Sequence, residues 1–178
     1  YYNMELEALY LTGSFGVKTD GEFTKLDRHA VRYHGGFTLT EMPKETTLQN
    51  LEQQGFPFFS GRMTLRKTIT LPDCDYRFDA EKRGLNAIGV SVNQTPEKTL
   101  IWNPFSLELC DSLTAGENTV TLTLVNNLRN LLGPHHLEEG ESISVGPDRF
   151  YRRESPFYNP EIGWNDDYCF VETSILEK

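Results

Sequence analysis

The chain has 178 residues, a formal net charge of −9 and a sequence pI of about 4.9. A chain of this length is typical of one domain, which buries roughly 70% of its unfolded surface and needs no disulfide or metal to fold. Because an acidic surface repels a phosphate backbone, we expect no nucleic acid partner. The longest apolar runs span only a few residues, so we expect no membrane partner either.

The cysteine pattern indicates the redox environment of the chain and, through it, the localisation. Cys74, Cys110 and Cys169 are odd in number and far apart, without a C-x-x-C pair, which is neither a disulfide framework nor a zinc spacing. Unpaired thiols favour a reducing compartment, which here means the cytoplasm. The chain opens on Tyr1 rather than Met. We expect an excised piece of a longer protein, in which case the missing leader says nothing about export.

The first 45 or so residues predict short strands joined by turns. Residues 15–17 and 22–25 flank Thr19-Asp20-Gly21, a sequence typical of a hairpin turn. Residues 29–33 and 37–40 flank Gly35-Gly36 and predict a second hairpin. Further on, residues 48–53 are compatible with a single helical turn.

The middle of the chain alternates between apolar and polar side chains, which is the signature of half-buried strands. Strands are expected at residues 63–71, 76–80, 87–92, 99–102, 105–109 and 119–125. In the first of these, one face carries Met63, Leu65, Lys67, Ile69 and Leu71, and the other face carries Thr64, Arg66, Thr68 and Thr70.

The end of the chain predicts a short strand at residues 143–145 and one closing strand at residues 168–175. No helical periodicity exceeds two turns. Many short strands at a spacing of about 8–12 residues favour an all-β domain, either a β-sandwich or a jelly roll.

One stretch carries a family resemblance. It contains a strand ending in Val92-Asn93, then Asn103-Pro104-Phe105, then Gly116-Glu117-Asn118-Thr119-Val120. The succession resembles the sugar-binding, galactose-binding-like jelly-roll domain of β-galactosidase- and β-glucuronidase-type glycoside hydrolases, over about 50 residues. It departs from that pattern at Ser91, where Trp is usual, and at Gln94, where Gly is usual.

A second resemblance covers more of the chain. Residues 9–17, 54–61 and 130–136 look like landmarks of large bacterial glycoside hydrolases, some close to α-L-rhamnosidases, in which such a β-sandwich follows a catalytic domain. It implies a non-catalytic accessory domain that packs on the catalytic domain of the same polypeptide. We expect residues 1–48 to form N-terminal strand additions and residues 49–178 to form the galactose-binding-like β-sandwich.

The motif residues have a structural explanation that needs no ligand. Gly116 and Asn118 tolerate positive φ and suit a tight turn before a core strand. Asn93 suits the end of a strand, which its side-chain amide can cap by bonding its own backbone. We therefore expect these positions to serve the fold.

Carbohydrate binding needs flat apolar rings beside hydrogen-bonding side chains. Trp164 lies beside Asp166 and Trp102 beside Asn103, while Arg129 follows a core strand. The predicted ligand-binding residues are Trp164, Asp166, Trp102 and Arg129, with the indoles stacking and the two charged groups bonding hydroxyls. The alternatives are that Trp164 covers an end of the sandwich, that Trp102 points into the core, and that Arg129 ties loops together.

Metal and catalytic interpretations are weaker. His135 and His136 are adjacent, and on an extended segment they point opposite ways, so we expect no transition metal and no cofactor. A structural Ca²⁺ is an open alternative, with carboxylates at Asp73, Asp75, Asp166, Asp167 and Glu172. No catalytic motif is present, so no catalytic residue is assigned. Two rival functions stay open: a purely structural bracing module that binds nothing, and a small cupin-like metal-dependent enzyme.

Overall fold

The computed structural model describes residues 9–141, 163 and 165–177 of the chain. This part is all-β apart from a 3-10 turn at Leu51–Gln53 and one short helix, α1, at Arg129–Leu132. The strands are β1 (Gly16–Thr19), β2 (Glu22–Lys25), β3 (Ala30–His34), β4 (Phe37–Thr40), β5 (Gly61–Leu71), β6 (Arg77–Arg83), β7 (Leu85–Val92), β8 (Lys98–Leu100), β9 (Phe105–Glu108), β10 (Gly116–Asn126), β11 (Tyr168–Val171) and β12 (Ser174–Glu177).

The centre of the molecule is a β-sandwich. A four-stranded antiparallel sheet of order β5-β10-β7-β8 faces a three-stranded sheet of order β12-β6-β9. Ile88, Val90, Leu122 and Leu124 from the first sheet form one hydrophobic cluster with Ala80, Phe105 and Ile175 from the second. Burial of this apolar surface is the main force that holds the two layers together. The all-β prediction is confirmed.

Strand alternation divides the four-stranded sheet into two faces. Along β10, Leu122 and Leu124 lie in the core, while Thr121 and Thr123 point to the other side. The register carries this division across the sheet, since Leu122 lies opposite both Leu65 on β5 and Val90 on β7. The side of the sheet away from the core is therefore lined by hydroxyl-bearing residues and is called the outer face from here on.

The N-terminal strands pair in a nested order, so both predicted hairpins are wrong. β2 pairs with β3, whereas β1 pairs with β4. β2 and β3 are neighbours in the chain and form a hairpin across residues 26–29, in which the ring centroid of Tyr33 lies 4.7 Å from that of its cross-strand partner Phe23. The Tyr33 hydroxyl also accepts hydrogen bonds from the backbone N–H groups of Asp20 and Gly21, at 3.0 and 3.1 Å. These contacts hold the turn at Asp20 and Gly21 against β3, and β1 pairs with β4 instead of with β2.

The predicted closing strand at residues 168–175 is instead two strands in different sheets. β11 joins the sheet of order β11-β3-β2, and β12 joins the sandwich. The break falls at Glu172 and Thr173, whose backbone groups bond His29 and Leu51 rather than a strand ladder. The predicted strand at residues 143–145 lies outside the described residues. The division of the chain at residue 48 stays a prediction.

The N-terminal sheet that contains β2, β3 and β11 is joined to the sandwich by the chain that runs from β11 to β12. Ionic contacts join the two as well. The carboxylate of Glu172 lies 3.4 Å from Lys25 Nζ on β2 and 3.1 Å from Arg83 Nη1 on β6. No helix in the described part of the chain is long and apolar enough to cross a membrane.

Candidate functional site

A polar groove of about 820 Å³ lies on the outer face of the four-stranded sheet. Its floor is set by register, because Thr121 on the central strand β10 lies opposite Arg66 on β5 and opposite Ser91 on β7. The next row toward the β7–β8 turn holds Thr119 and Thr68. The lining residues are Arg66, Thr68, Ser91, Asn93, Gln94, Thr95, Glu97, Thr119 and Thr121.

One wall of the groove is the turn between β7 and β8. Asn93 and Gln94 both have positive φ, at 50° and 65°, and the turn is closed by a 2.9 Å bond from Thr95 N to Val92 O. The Ser91 hydroxyl donates to the Thr95 carbonyl at 2.6 Å. These bonds fold the turn back over the sheet and give the groove its depth.

The end of this wall carries a fixed carboxylate. Glu97 accepts a hydrogen bond from the hydroxyl of Thr123 on β10. Its carboxyl group occupies the space above Gly89, where any Cβ would clash with it. The missing side chain at residue 89 therefore lets the carboxyl group of Glu97 lie across β7, where one of its oxygens bonds Thr123.

The opposite side of the groove carries a cation. Arg66 lies on the edge strand β5 and is exposed, and its guanidinium makes no ion pair or hydrogen bond to any described residue. The hydroxyls of Thr68, Thr119 and Thr121 likewise have no hydrogen-bond partner within residues 9–141, 163 and 165–177. The groove thus offers a guanidinium and three hydroxyls that bond no other group of the fold, together with a carboxylate that is held by Thr123.

Below one end of the groove, two asparagines form a closed hydrogen-bond network, the Asn93–Asn118 latch. The buried Asn118 accepts bonds from Asn93 Nδ2 and Thr114 N at 2.8 and 2.9 Å. It donates to the Thr114 and Gly116 carbonyls at 2.7 and 3.0 Å. Asn93 Oδ1 in turn accepts from Thr119 N at 2.9 Å. The motif residues Asn93 and Asn118 therefore hold the end of β7 to the start of β10, so they serve the fold as expected. The mechanism differs from the prediction, because Asn93 bonds residues 112–119 rather than its own backbone and positive φ is found at Gly116 but not at Asn118.

The sequence-predicted ligand residues are placed as follows. Trp102 lies in the turn between β8 and β9 with 81% of its surface exposed, so it does not point into the core. Arg129 begins α1, and its Nη2 lies 2.6 Å from Glu141 Oε2. With 13% of its side chain exposed, Arg129 has the loop-tying geometry that was its alternative. Trp164 lies outside the described residues.

Asp166 is exposed and lies in a short segment that is tied down on both sides. His136 Nδ1 lies 3.1 and 3.0 Å from the carbonyl oxygens of Asn165 and Asp167. The Asp167 carboxylate lies 2.6 Å from His34 Nδ1, and this hydrogen bond raises the pKa of His34. Within the described part of the chain, Trp102, Asp166 and Arg129 lie outside the groove lining. Their ligand roles stay predictions.

The residues considered for metals have other contacts. His135 Nε2 lies 2.9 Å from the Asn130 carbonyl oxygen, and burial lowers the pKa of this histidine. Glu172 is held by Lys25 and Arg83. Among the described residues, no three His, Cys, Asp or Glu side chains gather into a site that could hold a metal ion. The structural calcium stays an untested alternative.

A buried carboxyl group that the sequence does not reveal lies at the 3-10 turn. Glu52 is fully buried and accepts a 2.9 Å bond from Thr173 N. Burial is the main cause that raises the pKa of Glu52, and the nearby charge of Glu172 acts in the same direction. Because Glu52 has no exposed surface, it cannot meet a substrate as a general acid, and its place is structural.

Fold and site together define a β-sandwich with a polar groove on one sheet. Comparisons with known proteins add little: no family model matches the sequence, and no curated protein matches it. Among solved structures, the chain is similar to a β-D-glucuronidase from Dictyoglomus thermophilum, with 15% identity and a TM-score of 0.32. The similarity covers 93% of this chain and 29% of that one, so the chain spans less than a third of its neighbour's length. That degree of similarity establishes neither a family nor a function.

Proposed function

We propose that this chain is a non-catalytic accessory β-sandwich domain of a glycoside hydrolase, and that the groove on its outer face binds carbohydrate. The observation that carries the proposal is the set of unused hydrogen-bonding groups in the groove. Among the described residues, the side chains of Arg66 and Thr68 are exposed and those of Thr119 and Thr121 are half-buried, and none of the four bonds another group of the fold. They stand on a floor that strand pairing holds in order, so they are available to a ligand.

The chemistry of the groove matches that of sugar hydroxyls. A hydroxyl both donates and accepts, so it can donate to Glu97 and accept from Arg66, while threonine hydroxyls take either role. The threonine methyl groups supply small apolar contacts for the C–H faces of a ring. The volume of about 820 Å³ falls in the range of small-molecule sites, which is roughly 300–1,000 Å³.

The groove lining contains no aromatic side chain among the described residues. We therefore expect the affinity to come mainly from hydrogen bonds and to be low. Net hydrogen bonds contribute about 0.5–1.5 kcal/mol each. A few of them give a dissociation constant on the order of 1 mM. Such an affinity is useful when the catalytic domain of the same polypeptide acts on the same chain of sugars, because linkage raises the effective concentration.

The rival bracing role is favoured by a different observation. Ile101 and Trp102 lie side by side in the β8–β9 turn with 52% and 81% of their surface exposed. Exposed apolar groups of this kind suit a contact with another domain. In contrast, the aromatic side chains of the irregular segment before β5, Phe56, Phe58 and Phe59, are half-buried and form no exposed patch. Phe56 and Phe58 pack against the two hydrophobic clusters.

The cupin-like enzyme is the less supported alternative. Both candidate histidines already lie within hydrogen-bonding distance of backbone carbonyls. Elemental analysis of the purified chain tests it, since a stoichiometric transition metal that is lost from a His135→Ala variant would support it.

The test of carbohydrate binding is a titration of the chain with neutral and acidic oligosaccharides by calorimetry or NMR. Glu97→Gln keeps the bond from Thr123 but removes the charge, and we expect binding to weaken about tenfold. Glu108→Gln makes the same change at an exposed position on β9 of the opposing sheet, and we expect no effect. Binding that survives in Glu97→Gln unchanged would place the sugar elsewhere. A complete lack of binding would favour the bracing role over carbohydrate binding.

A further inference from the structure

The groove is asymmetric in charge across the strands. Arg66 lies on β5 at one edge, and Glu97 lies above Gly89 on β7. Ser91 is the β7 residue in the row of Arg66 and Thr121, and Gly89 lies two residues further along β7. With strands about 4.8 Å apart and a rise of about 3.4 Å per residue, the two backbone positions are roughly 12 Å apart on a diagonal. Any ligand that carries one negative group would be oriented, with that group at Arg66 and away from Glu97.

The edge strand β5 is positively charged throughout. Gly61–Leu71 contains Arg62, Arg66 and Lys67 and no acidic residue, in a chain whose net charge is −9. None of these three cations forms an ion pair with a described residue. Arg62 and Arg66 share the outer face, whereas Lys67 lies on the other face of the strand, and Glu117 is an acidic residue on the outer face of β10, opposite Thr70. The two arginines give the Arg66 side of the groove a local positive charge, against the overall charge of the protein.

Arg66 differs from a general hydrogen-bond donor in its geometry. A guanidinium presents a planar fork that matches a carboxylate with two parallel bonds, whereas a hydroxyl uses only one of them. The neighbouring hydroxyls of Thr121 and Thr68 point from the same face of the sheet. They are placed to bond the ring hydroxyls that flank a sugar carboxylate.

From these three observations we infer that the groove selects an acidic saccharide, a uronic-acid residue whose carboxylate pairs with Arg66 and whose hydroxyls bond Thr121 and Glu97. The inference rests on the proposed carbohydrate-binding function and names its ligand class. Glu97 contributes by excluding the opposite orientation, because a carboxylate placed on its side would meet a like charge.

The probe is trigalacturonate as the free acid and as its methyl ester, which have identical rings, linkages and hydroxyls but differ in charge. The free acid binds the wild-type chain at least about tenfold more tightly than the ester, because only the acid forms the charge-assisted pair. Raising the salt concentration narrows this preference, since the contact lies at an exposed edge.

Two variants distinguish a specific contact with Arg66 from the general effect of positive charge on β5. Arg66→Gln removes the preference, so that acid and ester bind within about twofold of each other. Arg62→Gln removes the same charge from the same strand and the same face, four residues or about 13 Å away, and keeps the preference. Both positions are exposed, so both variants fold, and circular dichroism checks this.

The outcomes distinguish the inference from the function on which it rests. Equal binding of acid and ester to the wild-type chain, with the Glu97→Gln effect present, overturns the inference and leaves carbohydrate binding in place. A preference that survives in Arg66→Gln also overturns it. The absence of binding by either form, and by neutral oligosaccharides, overturns both. Loss of the preference in Arg62→Gln as well overturns the role of Arg66, because it assigns the preference to the general field of β5.

Discussion

The two faces of the four-stranded sheet share the same strands and have opposite characters. On the core face, Val90, Leu122 and Leu124 have at most 8% of their surface exposed. On the outer face, the alternate positions Arg66, Thr119 and Thr121 present polar groups without partners among the described residues. The polar groups that serve the fold, such as Asn118, are instead satisfied several times over.

This difference separates residues that hold the fold from residues that are available to a ligand. A side chain that is buried or fully bonded is costly to change and contributes to stability. A side chain whose bonding capacity faces solvent is cheap to change and contributes to recognition. Variants from each class test this separation.

The core face gives the largest expected effect. Leu124 is fully buried in the centre of β10, so Leu124→Ala should lower the free energy of unfolding by about 3–4 kcal/mol through lost burial and the cavity left behind. Urea denaturation measures it. Val125→Ala, at the next position on the opposite face, should cost only about 1 kcal/mol. Equal losses for the two variants would mean that the faces do not differ in burial.

The Asn93–Asn118 latch gives the second effect. Asn118→Ala removes five hydrogen bonds and leaves Thr114 N and the Asn93 amide without their partner, so we expect a loss of about 2–3 kcal/mol. The exposed neighbour Glu117→Ala should change the unfolding free energy by no more than about 0.5 kcal/mol. A loss of less than about 1 kcal/mol in Asn118→Ala would contradict the structural role of the motif.

The buried Glu52 gives a prediction about pH. Burial raises the pKa of Glu52 in the folded state above its ordinary value of 4.5, so the folded chain holds this proton more tightly than the unfolded chain. Its protonation supports the fold at low pH, and that support is lost as pH rises through the raised pKa. Glu52→Gln should therefore be more stable than the wild type at pH 7, and its advantage should shrink as pH falls toward 4.5.

The measurement is urea denaturation at a series of pH values for the wild type and the variant. Glu117→Gln, at an exposed position on β10, serves as the control and should show no such trend. An advantage of Glu52→Gln that is constant with pH, or that grows as pH falls, would contradict the pKa direction and its cause.

The outer face gives the smallest effect on stability and the largest on recognition. Replacing both Thr119 and Thr121 by Val keeps the shape and β-branching of the floor and removes two hydroxyls. The free energy of unfolding should change by less than about 1 kcal/mol, while oligosaccharide affinity measured by NMR titration should fall about tenfold. A large loss of stability with unchanged binding would reverse the roles assigned to the two faces.

Local pattern is enough to predict the sandwich and its two faces. The alternation in residues 63–71 separates Leu65 from Arg66 by position along the strand alone, and the alternation in residues 119–125 does the same for Leu122 and Thr121. These features depend on neighbours a few residues apart, which the sequence shows directly. The bond between Asn93 and Asn118 joins residues 25 positions apart, so the sequence placed the two asparagines at strand ends without pairing them.

The pairing of β1 with β4 and the groove depend on contacts between distant segments. The hairpin of β2 and β3 is local, but its turn at residues 26–29 contains no glycine, and Arg28 and His29 take the positive φ there. The groove is formed by Glu97 folding over Gly89, which looks in the sequence like an ordinary strand glycine. The sequence signal for the groove is the row of Thr and Arg on the outer face of β5, which matches the Thr row of β10 once the two strands are paired.

The most direct test of the account is an NMR titration of isotope-labelled chain with trigalacturonate. The account predicts that the backbone amides of Ser91, Thr119 and Thr121 shift together with a single dissociation constant, while the indole N–H of Trp102 stays still. Shifts that gather at Trp102 or Asp166 and leave the groove unchanged would contradict it.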